Sequence, residues 1–254
     1  MPQSYRQIGS ALAGRIRLVM TDVDGTITAA DNLFSPSAAE AILRLEEHGI
    51  ITGLVSGRSL FRLESIARDL GMSGPVIAEN GGVAKLAPDG KPVELGYDNA
   101  TSRQALEKLK ALFPGAIEEM RDNKYRLVDV GIGSLGVATD ELRKHLEGTD
   151  ADLLDSGFML HLLPKGISKG KTLMRILGMI QDGELTSEEV MVFGDSTTDI
   201  SLFQFFSHNV LIINPRLPIE EKQTLEGIAE YISELPFGDG FAQVVSHILS
   251  VRRL

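Results

Sequence analysis

Short apolar runs alternate with stretches of helical periodicity along both ends of this chain of 254 residues. The runs at 16–23, 50–55 and 75–78 predict buried strands, and the segments between them carry apolar residues at helical spacing. Ser35 followed by Pro36 is typical of a helix start. Because strands that alternate with helices form a parallel sheet covered on both faces, the predicted fold class is α/β, with a Rossmann-like, doubly wound parallel sheet.

The last third of the chain resumes this alternation, after a region of different texture. Further strands are predicted at 190–193 and 210–213, and further helices at 169–180, 199–206, 218–228 and 241–251. The intervening region has a Pro88-Asp89-Gly90 turn, helices near 103–112 and 135–146, and an alternating segment near 126–130. We therefore expect a larger α/β unit from residues 1–82 and 164–254, and an inserted smaller α+β unit from residues 83–163.

The composition excludes several classes of function. A formal net charge of -10 disfavours a nucleic-acid or anionic membrane surface, since both need clustered Lys and Arg. With Cys 0 the chain has no disulfide framework and no thiolate nucleophile. Residues 1–14 lack the apolar segment of a secretory signal, and no stretch reaches the roughly 20 apolar residues of a membrane helix. We expect a cytoplasmic protein without nucleic-acid or membrane partners; a homodimer stays open.

Four acidic residues follow two predicted strands. Asp22 and Asp24 come directly after the first strand, and Asp195 and Asp199 follow the strand at 190–193. A turn with solvated acids explains the first pair when it is taken alone. The carboxyl ends of parallel strands meet at one edge of the sheet, so we expect all four acids to converge there. Such crowding favours a divalent cation, and oxygen ligands favour Mg²⁺.

Other polar residues occupy corresponding positions. Ser56-Gly57-Arg58 ends the strand at 50–55, and Lys169 begins a predicted helix, so a hydroxyl and two cations are available for phosphoryl oxygens. A helix cap explains Ser56 and a solvated helix position explains Lys169 without any function. Asn80 ends the third strand, where a turn-forming Asn-Gly pair explains it equally well.

The sequence resembles the haloacid dehalogenase-like phosphohydrolases, in the Cof-type or IIB subgroup with an α+β cap inserted after the third core strand. Four segments carry this resemblance in order, namely Asp22-Val23-Asp24-Gly25-Thr26, Ser56, Ser168-Lys169-Gly170-Lys171 and Gly194-Asp195-Ser196-Thr197-Thr198-Asp199. The resemblance implies that Asp22 is the nucleophile that forms an aspartyl-phosphate, and that Asp24, protonated at the start, is the general acid and base. It also implies that the inserted unit is a cap that selects the substrate.

The resemblance further implies which residues bind the metal and which bind phosphate or substrate. Mg²⁺ would be held by Asp22, the backbone carbonyl of Asp24 and Asp195, with Asp199 either a further ligand or a hydrogen-bond partner of the ligands. Phosphate or substrate would be bound by Thr26, Ser56, Gly57, Arg58, Asn80, Lys169 and Asn214. Pro215 departs from the small residue usual after this asparagine.

The resemblance also bears on the substrate. The segments 74–82 and 156–161 are similar to archaeal-type phosphoglycolate phosphatases, whereas related caps serve sugar phosphates. We therefore expect a Mg²⁺-dependent phosphomonoesterase for a small phosphorylated metabolite. Arg121, Lys124 and Arg126 are candidates for binding a substrate carboxylate, although a solvated charged strand explains them as well. His161 is expected to be packed or hydrogen-bonded.

Three other functions compete with this one. Residues 131–136 match the G-x-G-x-x-G dinucleotide pattern, but the inserted region has no room for two mononucleotide-binding halves. A phosphoacceptor signalling domain also gathers acids and Mg²⁺ at a sheet edge, without a cap and without hydrolysis. A phosphomutase of the same fold would release an isomer of its substrate in place of free phosphate.

Overall fold

Two β-sheets organise the part of the chain that the computed structural model describes, residues 1–157, 159–180 and 185–252. Within it, eight strands form the larger sheet in the order β1-β12-β11-β10-β2-β3-β4-β5. These strands are β1 Gln3–Ser4, β2 Leu18–Thr21, β3 Ile51–Val55, β4 Val76–Ala78, β5 Val83–Lys85, β10 Val190–Gly194, β11 Asn209–Ile213 and β12 Tyr231–Pro236. Neighbouring strands run parallel except β4 and β5, which are antiparallel.

Helices cover both faces of this sheet. Those of the larger unit are α1 Ser10–Arg15, α2 Pro36–Glu47, α3 Leu60–Asp69, α6 Lys169–Leu177, α7 Ile200–Phe205, α8 Ile219–Glu226 and α9 Phe237–Val251. Side chains alternate along β2, so Val19 packs in one core with Ile42 of α2, while Met20 packs in the other core with Leu173 of α6. The doubly wound α/β fold expected from the sequence is confirmed.

The sheet extends further at both edges than the sequence predicts. Residues 3–4 form β1 on β12, and Tyr5 and Ile8 are buried nearby. These first residues carry no apolar run, because a short edge strand needs only backbone pairing with a neighbour that lies far away in sequence. The final helix begins at Phe237, four residues before the predicted 241.

The smaller sheet has the order β6-β7-β9-β8 and is antiparallel throughout. Its strands are β6 Ile117–Glu119, β7 Val130–Ser134, β8 Ala151–Asp155 and β9 Leu160–Pro164, and its helices are α4 Ala100–Leu112 and α5 Thr139–Leu146. Leu106 of α4 and Leu142 of α5 pack with Val130 and Leu162 in a separate core. One face of the smaller sheet is therefore covered by the two helices.

Two predictions for this region are wrong. The segment 126–130 is mostly loop, and the strand lies at Val130–Ser134. Gly131 and Gly133 thus lie inside a strand, whereas a dinucleotide site needs them in the turn that opens a helix. The helix predicted from 135 begins at Thr139, because 135–138 form the turn that precedes it.

The two sheets do not divide at residue 83. Val83–Lys85 pairs with Val76–Ala78 in the larger sheet, and Leu95 packs in a core with Met20. An antiparallel edge strand of three residues gives no helical or parallel-strand signal, which is why the sequence placed it in the insertion. None of the helices in the described part of the chain has the length and apolar character needed to cross a membrane.

Candidate active site

The carboxyl ends of β2 and β10 bring acidic residues together. Phe193 of β10 is paired with Thr21 of β2, so Asp22 and Asp195 follow two adjacent parallel strands. The Asp22 amide donates a hydrogen bond to the Phe193 carbonyl oxygen at 3.0 Å. Carboxylate oxygens of Asp22, Asp195 and Asp199 all lie within 4.8 Å of one another, and all three residues are buried. The convergence expected from the sequence is present for these three acids.

Lys169 bridges two of the three acids. Its Nζ donates to Asp22 Oδ1 at 2.8 Å, to Asp199 Oδ1 at 2.7 Å and to Thr198 Oγ1 at 3.1 Å. Ser168 caps α6 by accepting from the Lys171 amide, which fixes Lys169 at the first helical position. This fully buried ammonium therefore compensates part of the negative charge of the site.

Asp195 and Asp199 are each held by donors. Asp195 Oδ1 accepts from Thr26 Oγ1 at 2.7 Å, and its Oδ2 accepts from Asn214 Nδ2 at 2.6 Å. Asp199 Oδ2 accepts from the backbone amides of Asp195 and Ser196, each at 3.1 Å. Thr26 and Asn214, expected to bind phosphate or substrate, therefore lie at the site but contact Asp195 instead.

Burial, and after it the charges of neighbouring groups, shifts the pKa values of the site residues. Burial raises the pKa of Asp22 to about 7, with the charges of Asp199 and Asp24 adding to the rise and that of Lys169 opposing it. Burial also raises the pKa of Asp195 well above its usual range, helped by Asp22 and Asp199. Burial lowers the pKa of Lys169, but the charges of Asp199 and Asp22 outweigh this and raise it overall. One ammonium does not balance three carboxylates, so the donor set fits a divalent cation that prefers oxygen ligands.

Glycines allow the acids to approach the backbone, a feature that the sequence analysis missed. Gly25 has φ +87°, and a Cβ atom there would lie 2.2 Å from Asp195 Oδ2. At Gly194 a Cβ atom would lie 2.5 Å from Asp199 Cβ. Both glycines immediately adjoin predicted acids in the sequence, and that adjacency is the signal that marks them.

Asp24 does not join the other three acids in the cluster. Arg58 binds it with two hydrogen bonds, from Nε to Oδ2 at 2.8 Å and from an Nη to Oδ1 at 2.5 Å. The family resemblance implies that Asp24 starts protonated, whereas here a guanidinium binds both oxygens of its carboxylate. Arg58, expected to bind substrate, is occupied by this ion pair.

The loop after β3 lies beside the loop after β4. The Ser56 side chain is buried, and the backbone carbonyl oxygen of Ser56 accepts from the backbone amide of Asn80 at 3.1 Å. Gly57 faces the side chains of Asn80 and His161, because a Cβ atom on Gly57 would lie 3.0 Å from Asn80 Oδ1 and 3.1 Å from His161 Cε1. The structure therefore brings His161 of the smaller sheet to the loop that carries Ser56 and Arg58.

Glu79 connects this loop to the smaller sheet. Its carboxylate accepts from the amides of Leu127, Val128 and Asp129 at 2.7 to 3.0 Å. Glu79 adopts φ +54°, an uncommon conformation for a residue other than glycine. Glu79 was given no role of its own from the sequence, although it lies in the segment 74–82 that carries the resemblance to archaeal-type phosphoglycolate phosphatases.

The cationic candidates for a substrate carboxylate have different surroundings. Arg126 is buried and donates to Asp129 Oδ1 at 2.6 Å, to Asp122 Oδ2 at 3.0 Å and to the Gly57 carbonyl oxygen at 3.0 Å. Arg121 is exposed, and Lys124 is exposed with its Nζ 4.8 Å from the centroid of the Tyr125 ring. Of the segment 156–161, position 158 lies outside the described residues.

Comparisons with known proteins converge on one family. The family model described as haloacid dehalogenase-like hydrolase matches residues 19–129 and 133–226. A phosphoglycolate phosphatase of Methanoculleus marisnigri is 32% identical over 234 residues, which are 91% of this chain and 95% of that protein. A crystal structure from Thermoplasma acidophilum superposes with a TM-score of 0.80 at 26% identity, covering 92% of this chain and 98% of the other. A subclass IIB sugar phosphatase shares the fold, with a TM-score of 0.71 at 15% identity and coverage of 92% and 99%.

Proposed function

The chain belongs to the haloacid dehalogenase-like hydrolases, and from this premise we propose that it is a phosphoric monoester hydrolase for a small phosphorylated metabolite such as phosphoglycolate. The observation that carries the proposal is the buried Asp22 carboxylate, held by Lys169 and close to two further acids. The name of the Methanoculleus relative supports the phosphorylated substrate. The absence of cysteine supports a reducing, cytoplasmic location.

Asp22 acts as the nucleophile. Lys169 holds Oδ1 and leaves Oδ2 to attack phosphorus, so a bond forms between Oδ2 and phosphorus while the bond from phosphorus to the ester oxygen breaks. Asp24 gives its proton to the departing ester oxygen and later takes one from the water that hydrolyses the aspartyl-phosphate. Because Arg58 binds both carboxylate oxygens of Asp24, this acid has to separate from Arg58 before it can reach the ester oxygen.

A bound cation and Lys169 would together balance the negative charge of the acids and of the phosphoryl group. Asp22, Asp195, Asp199 and the backbone carbonyl of Asp24 would hold Mg²⁺, which when bound neutralises charge on the transferring phosphoryl group. Lys169 supplies a fixed positive charge beside the nucleophile, and Ser56 offers a hydroxyl to phosphoryl oxygens at the adjacent strand end.

The smaller sheet acts as a cap in this proposal. Residues 1–82 and 164–254 form the catalytic unit, and the inserted region 83–163 carries the cap, with its first strand Val83–Lys85 still part of the larger sheet. His161 and Arg126 reach the loop at Gly57, which supports a role for the cap in substrate selection.

Phosphate release from a panel of phosphate esters with Mg²⁺ tests the function. Asp22→Asn is expected to reduce turnover at least about a thousandfold, since an amide is a poor nucleophile, while near-ultraviolet circular dichroism shows a folded protein. Asp31→Asn is the matched control, because Asp31 is exposed and its one hydrogen bond among the described residues is local, from the Leu33 amide.

Three results would contradict the proposal. Normal turnover by Asp22→Asn would refute the nucleophile. A phosphoprotein that persists without phosphate release would indicate a signalling domain. Isomerised substrate in place of free phosphate would indicate a phosphomutase.

A further inference from the structure

Polar side chains crowd the backbone of Gly57, beside the proposed phosphoryl site. A Cβ atom on Gly57 would lie 3.0 Å from Asn80 Oδ1, 3.1 Å from Asn80 Nδ2 and 3.1 Å from His161 Cε1. Arg126 donates to the Gly57 carbonyl oxygen. Asn80 belongs to the catalytic unit and His161 to the smaller sheet, so side chains from both units meet at this glycine.

Three side chains around Gly57 have a buried polar atom without a hydrogen-bond partner in the described part of the chain, namely Asn80 Nδ2, His161 Nε2 and Arg126 Nε. Asn80 is 3% exposed and His161 is 1% exposed, and neither Asn80 Nδ2 nor His161 Nε2 has a hydrogen-bond partner in the described part of the chain. Each buried polar group without a partner costs about 1–3 kcal/mol, and native proteins contain few of them. The Asn80 and His161 atoms beside one glycine therefore point to a ligand that satisfies both.

A hydrogen-bonded neighbour fixes the His161 ring, and Asn80 lies on an unusual stretch of backbone. His161 Nδ1 lies 2.6 Å from Asp129 Oδ2, and Asp129 also accepts from Arg126. Because Asp129 engages Nδ1, Nε2 is the ring nitrogen left for a ligand. Asn80 adopts φ +56° directly after Glu79, and such conformations are costly enough to be concentrated at functional sites.

The chemistry of the two atoms selects the ligand. Asn80 Nδ2 is a donor in every protonation state, and His161 Nε2 is a donor when the ring is an imidazolium whose Nδ1 donates to Asp129. We propose that Asn80 and His161 bind the carboxylate of a phosphorylated hydroxy acid such as phosphoglycolate, at the end of the substrate away from phosphorus. This inference rests on the proposed phosphomonoesterase function and names the substrate class for that site.

Discrimination between two substrates tests the inference. Phosphoglycolate is compared with ethyl phosphate, in which a methyl group replaces the carboxylate, and kcat/KM is measured for both. His161→Asn keeps a donor for Asp129 but removes the Nε2 atom. We expect the ratio of the two kcat/KM values to fall about 10- to 100-fold, the effect of losing one hydrogen bond to a charged group, with a higher KM for phosphoglycolate. His145→Asn makes the same change at an exposed site on α5 and should keep the wild-type ratio.

A second variant guards against a folding defect in the first. Asn80→Asp has the same shape and tolerates the left-handed backbone, but it places a negative charge against the carboxylate of the ligand. We expect it to lower the same ratio. A ratio that is unchanged in both variants, or an equal loss for both substrates, would overturn the inference.

Binding without turnover separates this inference from the proposed function. Calorimetry compares 3-phosphonopropionate, which has a carboxylate and cannot be hydrolysed, with propylphosphonate, which lacks the carboxylate. Tighter binding of 3-phosphonopropionate that weakens in His161→Asn supports the carboxylate site, even if no ester is hydrolysed and the proposed function fails. Equal affinity of the wild-type protein for both ligands overturns the carboxylate site, even if phosphate release is normal.

Discussion

Each buried acid of the site accepts hydrogen bonds from fixed donors, one of which is shared. Asp195 is held by Thr26 and Asn214, whereas Asp22 shares the ammonium of Lys169 with Asp199. These contacts lower the cost of burying each carboxylate but leave the cluster with an excess of negative charge. A divalent ion would relieve the repulsion that remains between the carboxylates, and this relief strengthens the binding of the ion.

We predict that Mg²⁺ raises the thermal midpoint of the wild-type protein, by binding the folded state only. At a hundredfold excess over Kd, such binding adds about 2.7 kcal/mol to the free energy of unfolding. In Asp195→Asn this gain should be lost, because an amide replaces one of the three carboxylates. Without Mg²⁺ the variant should be at least as stable as the wild type, since one buried charge is removed.

Thermal unfolding with and without Mg²⁺ measures both effects. Asp31→Asn, an exposed change of the same kind, should keep the full gain from Mg²⁺. An equally large gain in Asp195→Asn would contradict a cation site that includes Asp195.

The sequence predicted the acids but not their partners. Asp22 and Asp195 were identifiable because each follows a buried apolar strand, and parallel strands end at a common edge. The contact between Thr26 and Asp195 joins residues 169 positions apart, and no local pattern encodes such a pairing. The ion pair of Asp24 with Arg58 was missed for the same reason.

At the scale of elements, the end of β4 joins the two sheets. Glu79 follows this strand and accepts hydrogen bonds from the backbone at 127–129, the loop that leads into β7. Asp129 of that loop donates its amide to Glu79, so the Glu79 carboxylate lies close to a second buried acid. The Asp129 carboxylate in turn contacts Arg126 and His161. This junction is therefore sensitive to the protonation of Glu79.

We predict that Glu79→Gln changes how stability depends on pH. Burial, and after it the charge of Asp129, raise the pKa of Glu79 from 4.5 to about 7 against the lowering effect of three backbone donors. The folded state thus binds this proton more tightly than the unfolded state, so the Glu79 contribution to stability falls as pH rises from 4.5 to about 7. As pH rises from about 5 to about 8, the free energy of unfolding of the variant should increase relative to that of the wild type by up to about 3 kcal/mol.

Denaturant unfolding at several pH values measures this difference. Glu47→Gln, at an exposed position of α2, is the matched control and should follow the wild-type curve. Parallel pH curves for Glu79→Gln and the wild type would contradict the prediction.

The sequence predicted long elements better than short ones. The helix starting at Pro36 is confirmed because Ser35 caps it and its apolar residues have a clear helical period. The strands Gln3–Ser4, Val83–Lys85 and Tyr231–Pro236 were missed. The first two are too short to show periodicity, and the first and third pair with each other although they lie far apart in sequence. In the smaller sheet, Gly131 and Gly133 weakened the strand pattern of β7.

At the scale of the whole molecule, an aromatic contact also joins the two units. Phe61 of α3 stacks on Tyr125, with ring centroids 5.2 Å apart and planes at 16°. Both side chains are largely open to solvent, at 62% and 43% exposure. The contact therefore adds an apolar link at the surface to the buried polar contacts at Gly57 and Glu79.

We predict that Phe61 and Tyr125 are energetically coupled. A double-mutant cycle of Phe61→Ala and Tyr125→Ala, read from free energies of unfolding, should give a coupling of about 0.5–1.5 kcal/mol. The cycle of Phe61→Ala with Tyr97→Ala is the control, because Tyr97 is exposed and forms no ring contact among the described residues. Additive effects of Phe61→Ala and Tyr125→Ala would show that the stacked rings do not hold the units together.

The order of strands in the larger sheet has a consequence for synthesis on the ribosome. The four strands of the smaller sheet all come from residues 117–164, so they can pair as soon as that stretch has emerged. The strand that precedes Asp22, Leu18–Thr21, lacks a neighbour on its second edge until Val190–Gly194 has been translated. Until residues 190–194 have been translated, this edge is open to wrong pairing.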